Sequence, residues 1–445
     1  MSSLPEFVSS YWQAKSTGEL VIGGVPVSTI VSRYGSPLFA YDRDILERKY
    51  WALRSALPER FAICYSMKAN PNPEIMTFFL QKKCGLEIAS LGEFFQAVHS
   101  GFSAKDILFA GPGKTEAELE EVIARGIGEI HAESETELRR ISALSQKLCV
   151  RTRVAVRVNP GEEGQGGAMQ MGGKSAPFGF DEENLEWILH QIVGDPHIEF
   201  CGIHLFAGTQ ILDYELLLKQ YRKGIEIARR AAAAINARIR TLDFGGGLGI
   251  PYFSGDSELN LAQLGSGLRA LTAELETDTY LMETRFVVEP GRFLVGEAGV
   301  YVARVNDIKV SRGRKYLILD GGMNHHLAAS GNLGQVIKRN FPIALLNRLN
   351  EPATETVEVV GPLCTPLDTL GRSVVLPKPK IGDCLGIFQS GAYARSASPL
   401  GFLSHSAPPE VWVEEKQDFL VRRRGSWKDY VRDAQPISLE LQSGH

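Results

Sequence analysis

A chain of 445 residues, 44% hydrophobic and 22% charged, has material for a large core and room for two or three domains. Its formal net charge of −4 gives no footing for a nucleic-acid partner, and the arginine run 422–424 reads as a solvated face. Six cysteines at 64, 84, 149, 201, 364 and 384 show no C-x-x-C spacing, which argues against a zinc site or a disulfide framework.

Residues 1–35 carry short alternating stretches (ELVIGGVPVSTI) that predict strands. From residue 36 the chain alternates. Apolar, β-branched runs fall at 61–66, 85–90, 106–110, 129–133, 153–159, 199–207, 241–247 and 285–290. Segments of helical period separate them, several opening on a Thr, Ser or Asp followed by an acid, as capped helices do. Strand–helix alternation implies parallel pairing through right-handed crossovers. Eight such strands within 36–295 predict a (β/α)8 barrel, with a doubly wound sheet as the competing topology. From 296 to 445 short alternating strands with Gly and Pro turns predict a β-rich domain that the N-terminal strands join. The glycine-rich 160–179 segment reads as a loop, and 413–445 as a charged tail ending in a short helix. No apolar run of 18 residues offers a membrane span, and the N-terminus lacks a basic region before an apolar one, so a cytoplasmic setting is expected.

In such a barrel, functional groups collect at the C-terminal ends of the strands. Polar residues fall there one after another: Lys68 after the first strand, Arg157 and Asn159 on the fifth, His204 in the sixth. Gly245, Gly246 and Gly247 end the seventh, and Glu289-Pro-Gly291-Arg292 the eighth. On a strand, residues 62, 64, 66 and 68 share a face, so Lys68 points into the mouth with Ala62, Cys64 and Ser66. A lysine drawn into such a site is expected to have a depressed pKa and to form an imine with an aldehyde; a solvated surface lysine is the plainer reading. LDFGGGLG fails the dinucleotide pattern because Ile250 stands where a third glycine is needed, yet bare backbone N–H groups cradle a single phosphate well. Arg292 would add the counter-charge. Imine-forming lysine, phosphate cradle and carboxylate in one mouth suit pyridoxal 5′-phosphate, with Glu289 keeping the pyridine nitrogen protonated.

At this point the chain resembles the fold-type III pyridoxal-phosphate decarboxylases, those of diaminopimelate, ornithine and arginine, with the alanine-racemase-like barrel. The likeness runs over about residues 25–415. YSMKAN (65–70) is similar to the family's cofactor-lysine motif, and GIHLFAGTQ (202–210), with Thr209, to the strand beside the cofactor ring. LDFGGGLG (242–249) resembles the phosphate loop and EPGR (289–292) the pyridine-nitrogen carboxylate with its arginine. GPLCTPLD (361–368) resembles a loop inserted by a second subunit, and GAY (391–393) the motif whose tyrosine, Tyr393, reaches the phosphate. The resemblance implies a homodimer with shared active sites, loss of the α-carboxylate as carbon dioxide, and protonation by Cys364. A thiol, with an unperturbed pKa of about 8.5, suits that task.

Three departures bear on the substrate. The family's ring-stacking histidine aligns with Phe206, with His204 two residues earlier on the same strand face. Relatives acting on diamines or diaminopimelate place an acid directly after the cysteine; here it is Thr365, with Asp368 three residues on. The arginine and tyrosine that follow D-G-G-M in diaminopimelate decarboxylases are absent from DGGMNHHLAASGNLG (320–334), whose adjacent His325 and His326 face opposite ways and read as substrate-side or surface residues. A site built for a charge rejects substrates lacking it, so losing these anchors points away from free diaminopimelate, ornithine or lysine. The pattern is closer to the biosynthetic branch that acts on carrier-protein-tethered amino acids or accompanies exosortase loci. Diaminopimelate decarboxylase is the first alternative and an amino-acid racemase the second, although Glu289 in place of an arginine disfavours the latter. A non-catalytic cofactor-binding protein and a sugar-phosphate barrel rank below these.

Overall fold

The computed structural model describes residues 4–161, 169–170, 176–206, 208–333, 335 and 337–434. Most of the predicted 160–179 loop and the last eleven residues of the tail therefore lie outside the described residues.

Eight parallel strands close into a barrel: β1 (Phe61–Ser66), β2 (Gly85–Ile88), β3 (Ile107–Phe109), β4 (Glu129–Ala132), β5 (Thr152–Asn159), β6 (Ile198–Leu205), β7 (Thr241–Asp243) and β8 (Arg285–Val288). Neighbours in sequence are neighbours in the sheet, and β8 returns to β1 through the register Phe286↔Phe61, Val287↔Ala62, Val288↔Ile63. Closure removes both sheet edges, the point on which the doubly wound alternative fails.

The intervening helices start where the sequence signals them. Thr115 and Glu118 form a reciprocal capping box, Ser90 and Ser134 accept the amides of Glu93 and Glu137, and Asp213 opens the longest helix, Tyr214–Ile235. Such caps contribute about 1 kcal/mol each. The two-residue period of β1 sorts its side chains as predicted. Phe61, Ile63 and Tyr65 join the main core under the helices, whereas Ala62 and Cys64 pack with Leu108 and Val287 in a separate cluster inside the barrel.

The second sheet is built around a long strand, Gly299–Ser311, which pairs with Arg314–Leu319, Cys384–Ile387 and Leu38–Asp42. The last of these precedes the barrel's first helix in the chain and also pairs in parallel with Glu410–Glu414. Strands 13–14, 20–22 and 25–26 form a small antiparallel sheet of their own. It is tied to the larger domain by Leu20 N–H to the Leu346 carbonyl at 2.7 Å and Leu349 N–H to the Gly18 carbonyl at 2.8 Å. The predicted terminal helix is the short turn Lys428–Val431. No helix among the described residues is long and apolar enough to cross a membrane.

This second domain also touches the barrel mouth. Asn70 Nδ2 donates to the Gly391 carbonyl at 2.9 Å, Tyr393 N–H to the Ala69 carbonyl at 2.8 Å, and Ser396 Oγ to the same carbonyl at 3.1 Å. The turn carrying Lys68 is thus clamped from both domains.

Candidate active site

Lys68 sits on the single 3-10 turn Met67–Ala69 that ends β1. Its side chain is 43% exposed in the mouth, and its ammonium donates at 2.7 Å to both oxygens of Glu87, a buried carboxylate on β2 that also accepts from Ser66 Oγ at 2.6 Å. The register Ser66↔Glu87 places these groups together. A depressed pKa was the expectation for this lysine, and the structure corrects it. Burial does pull it down, but the electrostatic influence of Glu87, Tyr393 and Glu289, with the Glu87 hydrogen bonds, outweighs burial and the net shift is upward. Glu87 is therefore positioned both to hold the ammonium and to take a proton from it.

The glycine run after β7 is a cradle that side chains would fill. Gly245 has φ +68°, and a Cβ there would lie 2.5 Å from the Leu205 carbonyl oxygen; at Gly246 it would lie 2.8 Å from that of Glu289. Gly247 completes the run with φ +106°. Phe206 lies against this run, its ring 2.9 Å from the position of a Gly245 Cβ, and Thr209 follows on a two-residue strand. Gly291 packs between Ser66 and Ala69, which brings Arg292 toward the lysine turn. The Arg292 guanidinium donates to the Tyr252 hydroxyl at 2.9 Å and lies 4.7 Å from the Tyr393 ring centroid, while its Nε is buried without a partner among the described residues.

Deeper in the barrel, Glu289 meets a cluster that sequence reasoning mostly missed. His204 and His131 stack with ring centroids 4.2 Å apart and planes 24° apart, and His204 Nε2 is 3.5 Å from Glu289 Oε2. Asp243 closes the cluster; burial, then the Glu289 charge, push its carboxyl well above the usual range. Burial, with the positive influence of His131 and Arg157, drives His204 well down and keeps it neutral. His131, His204 and Glu289 have the residue types of a metal site. A bound ion must lie in the plane of each imidazole at about 2.0–2.1 Å, and two rings stacked face to face share no such point.

Arg157 is buried, donating to Glu133 Oε1 at 2.7 Å, an acid that also accepts the amides of Gly111 and Gly179. The loop 361–368 stands apart from this assembly. Cys364 is exposed there, and so is Leu367. Thr365 accepts the Leu367 amide at 3.3 Å. Asp368 turns inward: it is 3% exposed, and its two oxygens accept the amides of Met323 at 2.6 Å and Leu363 at 2.8 Å. His325 and His326 are not surface residues. Both are buried, His325 against the Tyr301 hydroxyl at 3.2 Å and His326 against Ser390 Oγ at 2.8 Å. Burial lowers their pKa values to about 4 and about 3.

Glu87 and His131 stand at inward positions of strands read correctly, so the two-residue period could have found them. Asp243 and Glu289 meet through the parallel register of β7 and β8, which sets Asp243 beside Val287, two residues before Glu289. The orphaned Arg292 Nε and Glu289 Oε1, the bare glycine cradle and an exposed amine beside a proton acceptor together fit a phosphorylated pyridine aldehyde.

Comparison with known proteins agrees. Residues 43–296 match the family model of the pyridoxal-binding domain of pyridoxal-dependent decarboxylases. The chain is 36% identical over 408 residues (91% of this chain, 95% of the relative) to the L-glutamyl-[BtrI acyl-carrier protein] decarboxylase of Niallia circulans. It is 31% identical to the diaminopimelate decarboxylase of Methanothermobacter thermautotrophicus, over 94% of this chain and 96% of that one. Among solved structures, the diaminopimelate decarboxylase of M. jannaschii in complex with L-lysine superposes with a TM-score of 0.87 at 25% identity, covering 97% of this chain and 99% of that one.

Proposed function

From the premise that this chain belongs to the pyridoxal-dependent decarboxylases, we propose that it removes the α-carboxylate of an amino acid tethered to an acyl carrier protein. Family membership makes pyridoxal 5′-phosphate the cofactor and carbon dioxide the product. The substrate reading is carried by one observation: the 361–368 loop offers no carboxylate to a distal ammonium. Thr365 is neutral, and both oxygens of Asp368 are occupied by backbone amides. A free diamine would leave its far charge unpaired there. Decarboxylation needs a free α-carboxylate, so the tether must run through a side-chain carboxyl as a neutral thioester; glutamate, the residue in the relative's name, has such a carboxyl.

Bound pyridoxal phosphate supplies an electron-accepting ring at the α-carbon from which carbon dioxide departs. The chain's own residues do the rest. Lys68 provides the amine that holds the cofactor, and Glu87 receives its proton. The backbone of Gly245–Gly247, with Arg292 and Tyr393, would hold the phosphate; Phe206 would cover the ring, and Glu289 would accept the pyridine N–H. Cys364 returns a proton to the α-carbon. Its exposed loop serves the mouth of a second copy of the chain, so that two protomers share each site. All six cysteines are free, which suits work in a reducing compartment.

The test offers purified holoenzyme a glutamyl-carrier thioester beside free glutamate, ornithine and diaminopimelate, and follows carbon dioxide. The thioester should be preferred in kcat/KM by about a thousandfold or more. Turnover of free diaminopimelate at about 10⁴ M⁻¹ s⁻¹ or faster would instead make it a diaminopimelate decarboxylase.

A further inference from the structure

His131 lies on β4, two residues after Glu129, and both side chains point into the barrel. Nothing in the reaction scheme above uses it. It is fully buried, yet neither ring nitrogen has a hydrogen-bond partner among the described residues. Each nitrogen faces acid. Nε2 is 3.3 Å from Glu129 Oε1 and 3.9 Å from Asp243 Oδ2, while Nδ1 is 3.9 Å from Glu289 Oε1. Its face is closed by His204, which itself reaches Glu289. One imidazole therefore links three buried carboxylates carried by three different parts of the barrel.

We propose that His131 is a positioning residue for Glu289, keeping that carboxylate aimed at the cofactor nitrogen as a proton acceptor. Three buried carboxylates this close cannot all be ionised without a counter-charge. His131 is the base placed among them. Its Nε2 lies 3.3 Å from Glu129 and its Nδ1 3.9 Å from Glu289, so the imidazole sits where a positive charge would offset both and leave Glu289 free to accept the pyridine N–H. His204 cannot substitute, because its proton affinity is depressed by burial and by its neighbour. The other groups that act on the cluster are Cys64 from β1, Arg153 and Cys201 beside Glu129, Tyr221 beside Asp243, and the Lys68–Glu87 and Arg157–Glu133 pairs nearer the mouth. The two ion pairs are compensated within themselves, and the Cys64 thiol is pushed up by burial and stays neutral.

The sign of the effect follows. Without the imidazole, one more proton stays on the carboxylates, and Glu289 becomes a free acceptor only at higher pH. The experiment dialyses holoenzyme across a pH series and measures released pyridoxal phosphate by its fluorescence, for wild type, His131→Phe and His131→Asn. Phe keeps the stack on His204; Asn keeps a donor but cannot take up a proton. The acid limb of cofactor retention should move up by about one pH unit in both variants, with retention close to wild type under alkaline conditions. Retention unchanged at every pH, or lowered by the same factor at every pH, would overturn the proposal, the latter marking His131 as packing alone. Should the Phe variant fail to fold by circular dichroism, the Asn variant decides. The readout is independent of which substrate the enzyme takes.

Discussion

The barrel mouth and the 361–368 loop carry two halves of one chemistry and are built in opposite ways. At the mouth every group is held from several sides. Lys68 is fixed by Glu87, its turn is clamped by Asn70 to Gly391 and by Tyr393 to Ala69, and Glu289 is walled in by His204 and Asp243. In the loop the reactive group, Cys364, is exposed, while the polar effort goes into shape: Asp368 fastens the loop to the turn at Met323. The cofactor half is complete within one chain. On the proposed function, the substrate half is a loop that presents Cys364 to the site of a second copy. A cofactor of fixed structure permits a closed site, whereas a tethered substrate needs an open one.

The largest effect should come from breaking the closed half. Lys68→Ala removes the amine that holds the cofactor and should lower turnover by about a thousandfold or more. The cofactor's absorbance should disappear on dialysis. Next comes Cys364→Ala, which should lower kcat by about a hundredfold, the scale of a lost proton donor, while the absorbance of bound cofactor stays at the wild-type level. Loss of cofactor from the Cys364 variant would show that the halves are not separable. Mixing the two inactive variants sharpens the comparison further. If each loop serves a partner's mouth, random re-pairing restores about a quarter of the sites, and sites contained within one protomer would restore none.

Much of the closed half was legible in the sequence because period two and period 3.6 are strong signals and the barrel's strands are short and regular. All eight strands, the glycine cradle and the inward face of β1 follow from them. The acid–base cluster was not legible, since Glu129 and His131, two residues apart on β4, meet Asp243 on β7 and Glu289 beyond β8 only across the barrel interior. The sign of the Lys68 shift was misread for the same reason: Glu87 is nineteen positions away in the chain but opposite Ser66 in register. In the loop, the carboxylate of Asp368 is visible in sequence, whereas the backbone amides of Met323 and Leu363 that occupy it are not. His325 and His326 looked polar and exposed, yet a turn under the second sheet buries both.

That buried turn gives the smallest effect and tests whether the loop's footing is separable from the barrel. His325 and His326 N–H both donate to the Gly322 carbonyl, in the turn whose Met323 amide binds Asp368. Their folded pKa values, about 4 and about 3, lie below the ordinary 6.5, so the unfolded chain binds more protons than the folded one between those limits. Their contribution to stability is full above pH 6.5 and is lost as the pH falls toward 4 and 3. Together they add a slope of up to about 3 kcal/mol per pH unit inside that window. His326→Gln should remove about half of this difference when denaturant unfolding is followed across the pH series, with no change above neutrality beyond the lost Ser390 contact. Because Asp368 is fastened to this turn, acid should release the amides of Met323 and Leu363 to hydrogen exchange before it releases pyridoxal phosphate. Simultaneous release would mean that the two halves unfold as one unit, and that the separation between them is chemical but not mechanical.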